Sequence, residues 1–117
     1  MVVTYSFAGL PVADFAAAYA WYVRLLGRPA DMFPHEHEAV WRLTSGGAVY
    51  VVDDCERAGN GLLTLAIDDL DAYADRLRTN GFALTEEPEG SAPRRLTITD
   101  DEGNRITFFQ DPALSGV

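Results

Sequence analysis

The chain has one cysteine, no lysine and no long apolar run, and each shortage excludes something. With Cys55 alone no internal disulfide can form, so a reducing, cytoplasmic location is expected. Cys55 stands between Asp54 and Glu56, whose charges disfavour a thiolate, and it is not read as a nucleophile. No stretch approaches the ~20 apolar residues of a membrane-crossing helix. The opening Met1-Val2-Val3-Thr4-Tyr5 lacks the basic patch and apolar stretch of a signal peptide. The nine basic residues, all arginine, face 18 acidic ones, for a net charge of −9. That charge repels phosphate backbones and anionic lipid, so neither nucleic acid nor membrane is expected as a partner. No Ser/His/Asp set, phosphate-cradling glycine loop or nucleophile elbow occurs.

What is present is an internal repeat. Leu10 and Leu65, Val12 and Ile67, and Asp14 and Asp69 are each 55 positions apart. Gly47 and Gly103, and Val40 and Leu96, are 56 apart, and Gly27 and Gly81 are 54 apart. A unit about half the chain long is therefore duplicated. At 117 residues and 48% apolar, the chain suits one globular domain with module one at about 1–56 and module two at about 57–113.

Each module opens with an apolar strand, Val2–Val12 and Gly61–Ile67, that runs into an aspartate placed as a helix N-cap. Behind Asp14 the apolar positions Phe15, Ala18, Tyr19 and Tyr22 follow helical spacing, as do Leu70, Tyr73, Ala74 and Leu77 behind Asp69. Gly27 and Gly81 stand as C-terminal stops. Three strands follow each helix, near Arg28–Phe33, Glu38–Thr44 and Ala48–Asp53, then near Phe82–Glu86, Arg95–Thr99 and Asn104–Phe109. The turns are Ser45-Gly46-Gly47 and Asp100-Asp101-Glu102-Gly103, and Glu86–Pro93 reads as a loop. The predicted fold is α+β, two tandem βαβββ modules forming a curved mixed sheet around a cavity.

In this order Gly9-Leu10-Pro11-Val12-Ala13-Asp14-Phe15, Tyr22-Val23-Arg24-Leu25-Leu26-Gly27, Leu65-Ala66-Ile67-Asp68-Asp69-Leu70 and Asp101-Glu102-Gly103-Asn104-Arg105-Ile106-Thr107-Phe108 resemble the vicinal oxygen chelate superfamily. That group contains glyoxalase I, bleomycin-resistance proteins and extradiol dioxygenases. The resemblance implies a homodimer. It also implies a divalent ion held by histidine or glutamate from the first and last strands of each module. By spacing those positions are Phe7, Val51, Leu62 and Thr107. None offers imidazole or carboxylate, so no metal or other cofactor is expected there.

Strand alternation predicts what shares that inward face. Tyr5 and Gly9 flank Phe7, Val49 and Asp53 flank Val51, Thr64 follows Leu62, and Arg105 and Phe109 flank Thr107. Thr97 and Thr99 turn inward, and by the repeat so do Trp41 and Leu43, which leaves Tyr50 and Val52 on the helix-packed side. The expected ligand contacts are Tyr5, Phe7, Trp41, Val49, Val51, Asp53, Leu62, Thr64, Arg105, Thr107 and Phe109, with no catalytic residue among them. An apolar, aromatic cavity of this kind suits a small-molecule ligand, aromatic and in one version cationic. The alternative for these side chains is that they meet and fill the space.

His35-Glu36-His37-Glu38 puts two histidines on one side of an extended segment, although a polar loop entering a strand explains it more simply. Asp69 is a cap and Asp54 begins a loop, which accounts for the acidic doublets without acid–base chemistry. Three functions remain open at this point. The first is metal-free sequestration of an antibiotic-like compound. The second is a metal-independent isomerase, lyase or hydrolase using Asp53, Arg105 or Tyr5. The third is a non-catalytic dimeric assembly module.

Overall fold

The two aspartates cap their helices as their positions predict. Helix α1 (Phe15–Leu26) begins where the Asp14 side chain accepts from the Ala17 N–H, and α2 (Leu70–Thr79) where Asp69 accepts from Ala72. Each cap satisfies an N–H that the helix leaves unpaired, worth about 1 kcal/mol. Gly27 ends α1 at φ +80°, a left-handed conformation that its missing Cβ permits, and its N–H closes on the Val23 carbonyl. In α2 the C-cap is Asn80, with Gly81 at φ +87° just beyond it.

A computed structural model of the chain describes residues 1–86 and 94–110. Positions 87–93 of the expected loop and 111–113 of the expected second module lie outside the described residues. Eight strands accompany the helices: β1 (Ser6–Val12), β2 (Met32–His35), β3 (Glu38–Thr44), β4 (Gly47–Asp53), β5 (Leu62–Ala66), β6 (Thr85–Glu86), β7 (Arg94–Thr99) and β8 (Arg105–Gln110). They form two four-stranded mixed sheets, ordered β1-β4-β3-β2 and β5-β8-β7-β6. In each, the first strand pairs parallel with the last and the other pairings are antiparallel. The fold is thus α+β with two tandem βαβββ modules. The expected strand at Arg28–Phe33 sits later, at Met32–His35, and the one at Phe82–Glu86 shortens to Thr85–Glu86. Among the described residues no helix is long and apolar enough to cross a membrane.

The chain divides into two units, Met1–Gly61 with Asp100–Asn104, and Leu62–Thr99 with Arg105 onward. In the first, α1 buries Ala18, Tyr22 and Leu25, and the sheet buries Leu10, Val12, Ala39, Trp41, Val49 and Val51. Trp41 is fully buried; its ring stacks on Tyr19 at 5.6 Å and meets Tyr22 at 6.4 Å, and its Nε1–H donates to the Arg28 carbonyl. In the second unit α2 buries Leu70, Ala74 and Leu77, and the sheet buries Leu96, Ile98, Ile106 and Phe108. Each fully buried side chain of this size contributes roughly 1.5–3 kcal/mol.

The turn Asp100–Asn104 belongs to the first unit and is tied into it by polar groups. The Glu102 carboxylate accepts from the Ala13 and Asp14 N–H groups, at 2.6 and 3.0 Å. Asn104 donates to the Pro11 carbonyl and accepts from the Gly61 N–H. The buried Asp100 accepts the Tyr22 hydroxyl at 2.7 Å. Gly59, at φ +83°, packs its Cα against the Glu102 carbonyl, where any side chain would collide.

One expectation fails by a single residue. Leu10 pairs with Val51 and Leu65 with Phe108. The first strands are therefore offset by 55 (65 − 10) and the last strands by 57 (108 − 51). The same 57 relates Trp41–Val49 to Ile98–Ile106, so Gly46, and not Gly47, is the counterpart of Gly103. Because side chains alternate with period two, an offset of 57 in place of 56 puts β3 and β4 in the opposite phase to the one expected. Trp41, Leu43, Val49, Val51 and Asp53 are on the helix-covered side of their sheet, and Tyr50 and Val52 on the open side. The second module, whose turn offers one glycine, has the predicted phase.

Candidate functional site

The open face of the first sheet carries a groove of about 700 Å³, within the range of small-molecule sites. Its aromatic wall is Tyr5, Phe7 and Tyr50, and Val40, Met32 and Pro34 add apolar surface. Tyr5 and Phe7 lie 4.8 Å apart between ring centroids, tilted by 46°. Phe7 remains 61% exposed, an unusual state for a phenylalanine on a strand. Tyr50 lies across Gly9: a Cβ built there would come within 2.5 Å of the ring, so the glycine is what lets the phenol lie flat on the sheet. The Tyr5 hydroxyl is buried and has no hydrogen-bond partner among the described residues.

Two charged residues stand on the same face, Glu38 and Arg42, both on β3 and both lining the groove. Glu38 Oε1 is 3.4 Å from His35 Nε2. Around Arg42 the backbone is pinned on both sides, its N–H donating to Asp31 Oδ2 and its carbonyl accepting from Arg28 Nη2. The Arg28 guanidinium bonded to Asp31, helped by the Arg42 N–H, holds that carboxyl below its ordinary range. Asp31 is bonded to Arg28 and also feels the charge of Arg42. The Arg42 guanidinium contacts Met32 Sδ at 3.3 Å and has no carboxylate within ion-pair distance among the described residues.

The second unit has its own open face. Leu62, Thr64 and Ala66 on β5 lie beside Arg105, Thr107 and Phe109 on β8, and Thr107 Oγ1 is 3.4 Å from Thr97 Oγ1. Leu62 is largely exposed. The structure thus places Tyr5 and Phe7 on one open face, and Leu62, Thr64, Arg105, Thr107 and Phe109 on another. Trp41, Val49 and Val51, expected as ligand contacts, are instead fully buried core residues on the helix-covered side. Asp53, also expected as a contact, instead pairs with Val12 at a strand end and lies 4.0 Å from His37.

Sequence reasoning missed Tyr50, Val40, Glu38 and Arg42. A signal for them existed. Glu38 and Arg42 share a strand phase, and a phase that buries both against a helix strands two charges without partners.

A second hollow, of about 420 Å³, lies beside the start of α1, with an alanine and Trp21 wall and a rim of Asp14, Asp100, Asp101 and Glu102. Of these carboxylates, Asp14, Asp100 and Glu102 are already spent on N–H groups or on the Tyr22 hydroxyl. The groove, with the exposed Phe7 ring and a guanidinium outside any ion pair among the described residues, is the better candidate.

Residues 4–108 match the family model of the Glyoxalase/Bleomycin resistance protein/Dioxygenase superfamily. The chain belongs to that superfamily. A glyoxalase/bleomycin resistance protein from Catenulispora acidiphila DSM 44928 is 39% identical, with TM-score 0.86 over 92% of this chain and 98% of that one. TnmS3, an antibiotic binding protein from Streptomyces sp. CB03234, shares the fold at 24% identity and TM-score 0.74, over 93% and 96% of the two chains. A bleomycin-binding protein, crystallised with bleomycin, shares it at 17% identity and TM-score 0.73, over 91% and 97%. No protein of curated function matches the chain.

With the register corrected, the four positions that the resemblance implies for chelation are Phe7, Tyr50, Leu62 and Thr107. Tyr50 replaces Val51, and the set still contains neither imidazole nor carboxylate. These residues do not fit a divalent ion.

Proposed function

We propose that this superfamily member binds a planar, largely apolar small molecule on the open face of its first sheet and sequesters it without chemistry. The exposed Phe7 ring, set beside Tyr5 and Tyr50 over a groove of about 700 Å³, carries the reading. Covering an exposed phenylalanine returns roughly 1.5–3 kcal/mol of burial. Phe7 is the exposed ring of the three, and the half-buried Tyr5 and Tyr50 add part of their surface toward the about −8 kcal/mol that a micromolar Kd represents. The absence of chelators from the four chelating positions supports binding over metal-assisted turnover. Two fold neighbours are themselves described by an antibiotic they bind, which supports the ligand class.

The test is calorimetric titration with bleomycin and a panel of planar cationic antibiotics. At least one is expected to bind near 1 μM or tighter, and Phe7→Ala is expected to weaken it at least about tenfold. Binding no tighter than millimolar, or indifference to both Phe7→Ala and Tyr50→Ala, overturns the proposal. Stoichiometric metal in the purified protein overturns its metal-free part. The homodimer implied by the resemblance is checked by light scattering.

A further inference from the structure

The groove is charged at two places, and the signs are opposite. Glu38 and Arg42 are four residues apart on one strand face, so their Cα atoms are separated by about 13 Å. Val40 lies between them on β3, and Tyr50, its partner on β4, continues the apolar floor sideways. Glu38 is largely covered, with 22% of its side chain exposed, while Arg42 is anchored through the backbone on both sides.

A guest long enough to cover this floor removes water from both ends. A plain cation pairs with Glu38 but leaves the guanidinium with its Met32 contact and the Asp31 charge beyond ion-pair distance, and a plain anion leaves Glu38 with the His35 imidazole alone. Either mismatch costs the desolvation of an unpaired charge. A guest with a cationic nitrogen at one end and a carboxylate at the other answers both, and Arg42 can take a carboxylate with two parallel N–H donors. Resting on the binding role proposed above, we infer that the groove selects elongated zwitterions: an apolar, planar body with an ammonium group toward Glu38 and a carboxylate toward Arg42. This narrows the cationic version of the ligand expected from the sequence.

A matched biphenyl series tests it. 4′-(Aminomethyl)biphenyl-4-carboxylic acid is the zwitterion, its methyl ester the cation, its N-acetyl derivative the anion, and the N-acetyl methyl ester the neutral body. Calorimetry on the full chain should rank the zwitterion about tenfold or more above each singly charged form. In Glu38→Gln the zwitterion's advantage over the N-acetyl acid should collapse toward unity. In Arg42→Gln its advantage over the methyl ester should collapse instead. The neutral form, titrated against each variant, reports whether the groove is still intact. Equal affinities across the series, or advantages that survive both substitutions, overturn the inference while leaving the binding role standing. Failure of all four compounds to bind, the neutral one included, overturns the inference, while the binding role stands or falls with the antibiotic panel.

Discussion

Replacing Tyr22 by phenylalanine removes one oxygen from the interior of the first unit, and the structure says what that oxygen does. Tyr22 is 1% exposed, and its hydroxyl donates to Asp100 Oδ2 at 2.7 Å. The same oxygen also accepts from Asn104 Nδ2 at 2.8 Å, and Asp100 Oδ1 accepts from the Glu102 and Asn104 N–H groups. The carboxylate therefore keeps three donors in the variant. The loss is one charge-assisted hydrogen bond, about 1.5–3 kcal/mol, and not the larger penalty of an orphaned buried charge. For a chain of this size that lowers Tm by roughly 6–12 °C. A pH signature accompanies it. Burial first, then the hydrogen bond to Asp100 and the nearby acidic charges, pushes the Tyr22 hydroxyl far above its ordinary value. A group whose pKa is raised by folding contributes stability that is complete below the unfolded value, about 10, and drains away as pH climbs toward the folded one. The wild-type chain should lose about 1.4 kcal/mol per pH unit above pH 10 from this group, and Tyr22→Phe should lack that component. Urea unfolding at pH 7 and at several points between about pH 9.5 and 11 measures both. A loss below about 0.5 kcal/mol at pH 7, or identical alkaline slopes, refutes the reasoning.

Trp41→Ala should cost about 3–5 kcal/mol by urea unfolding, because it empties the space between β3 and α1, while Tyr50→Ala should cost nearer 1 kcal/mol. The reverse order refutes the corrected register. Gly59→Ala combines a positive φ with a collision on the Glu102 carbonyl and should lower stability by more than about 1 kcal/mol. An unchanged Tm contradicts that packing. Gly9→Val should lift the Tyr50 ring into the groove and weaken a groove ligand at least about tenfold, with circular dichroism unchanged. Undiminished affinity places the ligand elsewhere.

Much of the fold was legible in the residues because it is written in local chemistry. Asp14 and Asp69 announce helix starts through the N–H groups that their carboxylates can accept, and Gly27 announces a stop through the conformation it tolerates. The duplication announces the second module once the first is read. The candidate site was legible only in part. Phe7 and Tyr5 were found because β1 carries its phase straight into a recognisable cap. Glu38, Arg42 and Tyr50 were missed because their phase depended on which of two adjacent glycines matched Gly103.

The sequence by itself determined the helices, the strand count and the repeat, since each depends on residue type and spacing within a few positions. Only the tertiary structure decided that Trp41 faces the helix and Tyr50 the open side. Pairing between strands is a non-local choice, and a shift of one residue costs nothing in local propensity while exchanging every side chain on the face.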